Sequence, residues 1–171
     1  MIELMVIRHG IAEDRDAFNG KGVPIEDHER RLTDKGRSRM AEVAEGLQWA
    51  APELDLIAAS PLVRAVETAE IIARAYGGVD VTQTDALAPE APLQDLVQWL
   101  AEQPDGVRAA AVGHEPHLGD WCSWMLSGGQ QSFIRFKKGG VCLMALSSPA
   151  AAGTAELAWL APPRQLRHMR K

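Results

Sequence analysis

The chain has little of what would mark several functional classes. Cysteine occurs only twice, at Cys122 and Cys142, in apolar surroundings and outside any metal-ligand spacing. That excludes a disulfide framework or a cysteine-based metal site, and reduced, buried thiols are expected. No apolar run approaches 18 residues, so no transmembrane helix and no membrane partner are expected. A basic excess is also missing: 18 Lys and Arg face 23 Asp and Glu, for a formal charge of −5. A broad nucleic-acid-binding face is thereby excluded. Any anion site must be a local concentration of Arg and His against the global field. Met1 to Ile7 is too short for a signal h-region and has no basic n-region, so a cytoplasmic location is expected. There is no internal repeat, and low complexity is confined to a small Ala-rich patch near 149–155.

What remains is an ordinary globular composition. Hydrophobic residues make up 46% and charged residues 24%, values that exclude disorder, collagen and coiled coil as the dominant character. A chain of 171 residues suits one domain over 1–171. It can bury roughly 70% of its unfolded surface without a disulfide or metal.

Leu4-Met5-Val6-Ile7 reads as a strand buried on both faces, followed at once by Arg8-His9-Gly10. Residues 12–31 read as a polar surface loop. Thr33 is placed to cap a helix whose buried stripe is Met40, Val43, Ala44 and Leu47. Leu54 to Ala59 is a second strand. Ser60 as N-cap and Pro61 as first helical residue predict a helix there, stopped by Gly77-Gly78. Val79 to Val81 predicts a short strand, and Leu93, Leu96, Val97 and Leu100 a helix. Val107 to Val112 is a further strand, and Leu118, Trp121, Cys122 and Met125 mark a helix ended by Gly128-Gly129. Phe133–Phe136 and Val141–Leu146 predict a hairpin around Lys137-Lys138-Gly139-Gly140. Glu156 to Leu160 is a last strand, and the basic tail from about 162 is expected to be peripheral and loosely held. The alternation predicts an α/β fold, a three-layer α/β/α sandwich with a mostly parallel central sheet and antiparallel edge strands.

Three strands end alike. Arg8 and His9 follow the first, Ser60, Pro61 and Arg64 the second, and Gly113 and His114 the strand ending at Val112. In open α/β sheets ligands bind beyond the carboxyl ends of the strands, so these loops are expected to converge on one pocket. Guanidiniums bind phosphate in bidentate fashion, and the helix start near Pro61 adds orphan N–H groups. Histidines supply protons or nucleophilic nitrogens. The economical reading is a phosphoryl group attacked by neutral His9, whose other ring N–H is held by a backbone carbonyl. Arg8, Arg64 and His114 would neutralise the phosphoryl oxygens. No metal and no cofactor are expected, because no carboxylate cluster to hold Mg²⁺ is evident.

Arg8-His9-Gly10, Ser60-Pro61-Leu62-Val63-Arg64-Ala65 with Glu67-Thr68-Ala69, and Val112-Gly113-His114 resemble, in order and spacing, the motifs of the histidine phosphatase superfamily, the phosphoglycerate-mutase-like enzymes. Arg30-Arg31-Leu32-Thr33-Asp34-Lys35-Gly36 and Gly113-His114-Glu115-Pro116, with no large insertion after the second motif, are closer to the SixA-type phosphohistidine phosphatases. The resemblance covers about residues 2–160. It implies a transient phosphohistidine at His9, held in a phosphate pocket of Arg8, Arg64 and His114. It also places Arg30, from the family's Arg-Pro-Leu-Thr segment, within reach of the phosphate. Arg31 stands where the Pro is usual, and either arginine is open to face inward. Larger members carry a general-acid Glu on a lid-like insertion. Here the stretch is Leu87-Ala88-Pro89-Glu90, and Glu90 is the available substitute. A neutral imidazole leaving from protonated phosphohistidine needs no strong acid, unlike an alkoxide. The implied partner is a phosphohistidine-bearing protein such as a phosphotransfer domain, with a small phosphorylated molecule as the alternative. A non-catalytic phosphate- or phosphopeptide-binding module is the reading from another class.

Plainer roles exist for the same residues. Arg64 is spaced to pair with Glu67 on the helix surface, and His114 to cap a helix or sit satisfied in the core. Arg30 and Glu90 suit a solvated loop. His117 is expected at the surface or behind the site, and His28 and His168 in solvent. Trp121 reads as core or interface packing, and Lys137-Lys138 as turn chemistry rather than a binding patch.

Overall fold

The computed structural model describes residues 1–169. A six-stranded sheet lies in the order β3-β2-β4-β1-β5-β6, formed by β1 (Ile2–Arg8), β2 (Leu56–Ala59), β3 (Val81–Gln83), β4 (Arg108–Gly113), β5 (Val141–Leu146) and β6 (Glu156–Ala161). The first four strands in chain order pair in parallel, and β5 and β6 add antiparallel. The chain has the expected α/β architecture, with a mostly parallel sheet and antiparallel strands at one edge.

Alternation along the strands feeds two cores. Leu4 and Val6 of β1, with Ala109 and Ala111 of β4, face α3 (Leu93–Ala101) and α4 (His117–Ser127) through Leu96, Leu100, Leu118 and Trp121. Met5, Ile7, Ala110 and Val112 face α1 (Asp34–Ala50) and α2 (Val63–Ala75) through Met40, Val43, Leu47, Ala65 and Ile72. Burial on both faces explains why these strands read as unbroken apolar runs. Thr33 caps α1, its hydroxyl accepting the Gly36 N–H at 2.9 Å. Cys122 and Cys142 are free and buried.

Four expectations need correction. Ser60 is not the cap of α2: the helix begins at Val63, with Leu62 as N-cap. The Ser60 hydroxyl instead lies 2.7 Å from His114 Nε2 and 3.3 Å from the Leu62 N–H. The short third strand sits at Val81–Gln83 rather than starting at Val79. The hairpin does not form. Residues 133–136 lie outside the sheet, and β5 pairs with β1 and β6. Phe133 and Ile134 donate their N–H groups to Ser123 Oγ, and Phe136 donates to Glu115 Oε1. With those donors spent on side chains, no ladder can be built. Finally, the tail folds back as α5 (Pro163–Met169), with Leu166 fully buried against α1. Gly46 permits this, because a Cβ there would lie 2.0 Å from the Leu166 carbonyl oxygen. The last two residues of that tail lie outside the described residues.

Candidate active site

Sheet order explains why distant residues meet. β2, β4 and β1 are neighbours at the centre of the sheet and run parallel, so their carboxyl ends share one rim. Arg8, His9, Arg30, Arg64 and His114 all line a cleft of about 410 Å³ at that rim. The expected convergence is therefore a feature of the structure.

His9 is held by backbone on both sides of its strand end. Its N–H donates to Gly113 O at 3.0 Å, and its carbonyl accepts from Gly139 N at 3.1 Å. The imidazole Nδ1 lies 2.7 Å from Gly10 O. A carbonyl only accepts, so Nδ1 carries the proton and Nε2 the lone pair. Arg64 Nε donates to that same Nε2 at 3.3 Å, which requires the same tautomer. Burial pushes the His9 pKa down to about 3; the Gly10 hydrogen bond opposes the shift, and the charges of Arg64, Arg8 and Lys138 add to it. The ring is neutral at physiological pH.

His114 stands beside it, with ring centroids 5.2 Å apart. Burial, then the proximity of His9 and Arg64, pushes its pKa down to about 2. Arg64 enters from the first turn of α2. Its NH1 donates to Asp27 O at 2.7 Å and its NH2 to Asp27 Oδ2 at 3.1 Å. The surface pairing with Glu67 does not occur: Glu67 accepts from Leu32 N and Arg37. Thr68 fastens α2 to the first loop, accepting Gly10 N at 3.1 Å while donating to Arg64 O at 2.7 Å.

Arg30, not Arg31, faces the cleft. It is 7% exposed and donates to Asp27 Oδ1 at 3.0 Å and to Glu13 O at 2.6 Å. The Arg31 side chain is exposed beside the outer 18–29 loop. Arg8 NH1 donates to Phe136 O at 2.7 Å. Among the described residues, buried Arg8 Nε and His114 Nδ1 have no hydrogen-bond partner. The guanidiniums of Arg8, Arg30 and Arg64 and two imidazoles in one cleft can take a tetrahedral anion, and Arg15 lines the same cleft. Glu90 lies exposed at the rim of the same cleft.

Several lining residues escaped the sequence reading, Glu13, Asp14 and Arg15 among them, and three more act on the charges of the groups above. Asp27 is one; its spacing of three from Arg30 was the available signal, since such pairs meet on one turn. Burial opposes ionisation of Asp27, but Arg64 and Arg30 outweigh it and hold the carboxyl below its ordinary range. Glu115 is the second, directly after His114. Lys138 is the third: it lines the cleft rather than serving only the turn. Of the two places expected for His117, the surface is excluded, because the side chain is buried. His28 and His168 are exposed as expected.

Residues 4–89 match the histidine phosphatase superfamily (branch 1), and the chain belongs to that family. An uncharacterized protein of Picosynechococcus is 37% identical over 142 residues, covering 82% of each chain. Among solved structures, the protein histidine phosphatase SixA complexed with tungstate superposes with a TM-score of 0.80 at 20% identity, covering 96% of this chain and 99% of that one. A phosphoserine phosphatase from Entamoeba histolytica in complex with phosphoserine does so with a TM-score of 0.69 at 18% identity, covering 97% and 100%. At those identities the two superpositions establish the shared fold. Among the described residues no helix is long and apolar enough to cross a membrane.

Proposed function

We propose that this chain hydrolyses phosphohistidine carried by a partner protein, such as a phosphotransfer domain, through a covalent phospho-His9 intermediate. One observation carries the reading: the Gly10 carbonyl and the Arg64 N–H fix His9 as a neutral ring with its free electron pair on Nε2, in a cleft that Arg8, Arg30 and Arg64 also line. In the proposed cycle Nε2 attacks phosphorus as the P–N bond to the substrate imidazole breaks. Arg8, Arg30, Arg64 and His114 stabilise the charge that spreads over the phosphoryl oxygens. Water then attacks phospho-His9, releases inorganic phosphate and restores the ring. The leaving imidazole departs neutral from the protonated substrate, so a strong acid is dispensable. Glu90 is the rim carboxyl placed to serve a poorer leaving group.

The connection after α2 runs through β3 and a short turn at Asp85–Leu87 into α3, and an open cleft suits a histidine displayed on another protein. A small-molecule phosphomonoesterase is the second reading, favoured by the likeness to a phosphoserine phosphatase.

The test traps labelled phosphoryl-enzyme and follows release of phosphate from a phosphohistidine-bearing protein and from an aryl phosphate. An acid-labile, base-stable label is expected, lost in His9→Ala, with turnover falling on the order of 10³-fold or more. Turnover that survives His9→Ala sinks the mechanism. Turnover confined to small phosphomonoesters sinks the protein substrate alone.

A further inference from the structure

Among the described residues, the Arg8 guanidinium has one hydrogen-bond acceptor, the backbone carbonyl of Phe136 at 2.7 Å. That carbonyl belongs to the segment that forms no strand. Its neighbouring N–H, that of Phe136 itself, donates to Glu115 Oε1 at 3.0 Å. The segment is pinned further along by Ser123 Oγ, which accepts from Phe133 and Ile134 at 3.0 and 3.1 Å. It lies flush on α4 at Gly119, where a Cβ would come within 2.3 Å of Ile134 O and 3.0 Å of a Glu115 carboxylate oxygen. Phe136 is itself buried. One residue therefore ties two site groups together: Glu115 on its N–H, Arg8 on its carbonyl.

We propose that Glu115 is the positioning residue for Arg8: by clamping the Phe136 N–H it sets where the Phe136 carbonyl, and hence the Arg8 guanidinium, stands in the phosphate cleft. The inference rests on the phosphatase reading of that cleft and adds a residue the reading does not use. Glu115 accepts a hydrogen bond, a role its ionised form fills best. Burial pushes its carboxyl above the ordinary range, while the Phe136 N–H and the Arg8 charge oppose that shift. Oε1 receives the Phe136 N–H, so this oxygen acts as an acceptor. A planar guanidinium must meet phosphoryl oxygens in register, so a small displacement is costly.

The test measures tungstate binding by calorimetry and aryl phosphate hydrolysis for the full chain and its variants. Glu115→Ala is expected to weaken tungstate and lower kcat/KM on the order of 10- to 100-fold. Glu115→Gln keeps an acceptor oxygen for the Phe136 N–H and is expected to stay within about threefold of the parent. In an Arg8→Ala background, Glu115→Ala is expected to add about twofold or less, because the two act as one unit. Multiplicative losses in the double variant overturn the proposal. So does a Glu115→Gln chain as impaired as Glu115→Ala, with a loss that grows with leaving-group pKa, the signature of a proton donor. Should Glu115→Ala fail to fold, the Gln variant decides alone: a loss beyond tenfold overturns the clamp. Tungstate binding does not depend on turnover. A chain that binds tungstate but hydrolyses nothing sinks the phosphatase reading and still reports the coupling of Arg8 to Glu115.

Discussion

The two sides of the cleft are built by different means. On the side of β1, β2 and β4, backbone bonds backbone: Ser60 N to Val112 O, His9 N to Gly113 O, Gly139 N to His9 O. Such bonds survive most changes of side chain, and the parallel ladder repeats them along each strand. On the side of residues 133–136, backbone bonds side chain, and two oxygens of the α4 region, from Ser123 and Glu115, hold three N–H groups. The first construction is redundant, and the second depends on single atoms. Yet Arg8 is rooted in the first and leans on the second.

Acid should break the first side hardest. His9 and His114 are held at about 3 and about 2 by burial, against about 6.5 in the unfolded chain. The unfolded chain takes up a proton on each ring below pH 6.5 and the folded chain does not. Stability is therefore complete above pH 6.5 and falls as pH drops toward the folded values. Each ring contributes a slope of up to about 1.4 kcal/mol per pH unit. The urea midpoint should fall steeply between pH 7 and pH 4, and NMR should show the His9 ring still neutral at pH 5. A midpoint unchanged over that range removes the buried neutral pair.

Ser123→Ala tests the second side. It removes the acceptor of two N–H groups, and about 2 kcal/mol of stability should go with it. Arg8-dependent anion binding should weaken as the Phe136 carbonyl loosens. A variant with unaltered melting and tungstate affinity would show that the segment is held by its apolar packing alone. The smallest effect belongs to the rim. Glu90→Gln removes a charge exposed to solvent and should change phosphohistidine turnover by about twofold or less, since exposed charges are screened. A loss growing with leaving-group pKa would make Glu90 the acid after all.

The same division decides what was legible. Unbroken apolar runs gave away β1, β2 and β4, because a strand buried on both faces has nothing else to be. Arg8, His9, Arg64 and His114 could be read as one group because topology, not local sequence, carries them to one rim. Phe133–Phe136 has the composition of a strand, but its donors are claimed by Ser123 and Glu115 across a tertiary contact that no local pattern announces. Ser60 reads as a cap because hydroxyls cap helices, and here its hydroxyl is taken up by His114. The tail looked unattached because its anchors, Leu166 and the Arg167–Glu42 ion pair, meet partners more than a hundred residues away, where Gly46 leaves room for Leu166. Arg30 and Arg31 could be told apart only by Asp27 and the Glu13 carbonyl.

Asp27 gives the cleft a resident counterion. With its carboxylate and its own carbonyl it already satisfies much of what Arg30 and Arg64 can donate. An arriving anion does not meet naked cations; it must outbid a tethered carboxylate for the same hydrogens. Metabolite carboxylates offer nothing that is not already there, whereas a doubly charged tetrahedral group brings more oxygens and more charge. On the proposed reading, discrimination among anions begins before any chemistry, as a local competition the protein stages against itself.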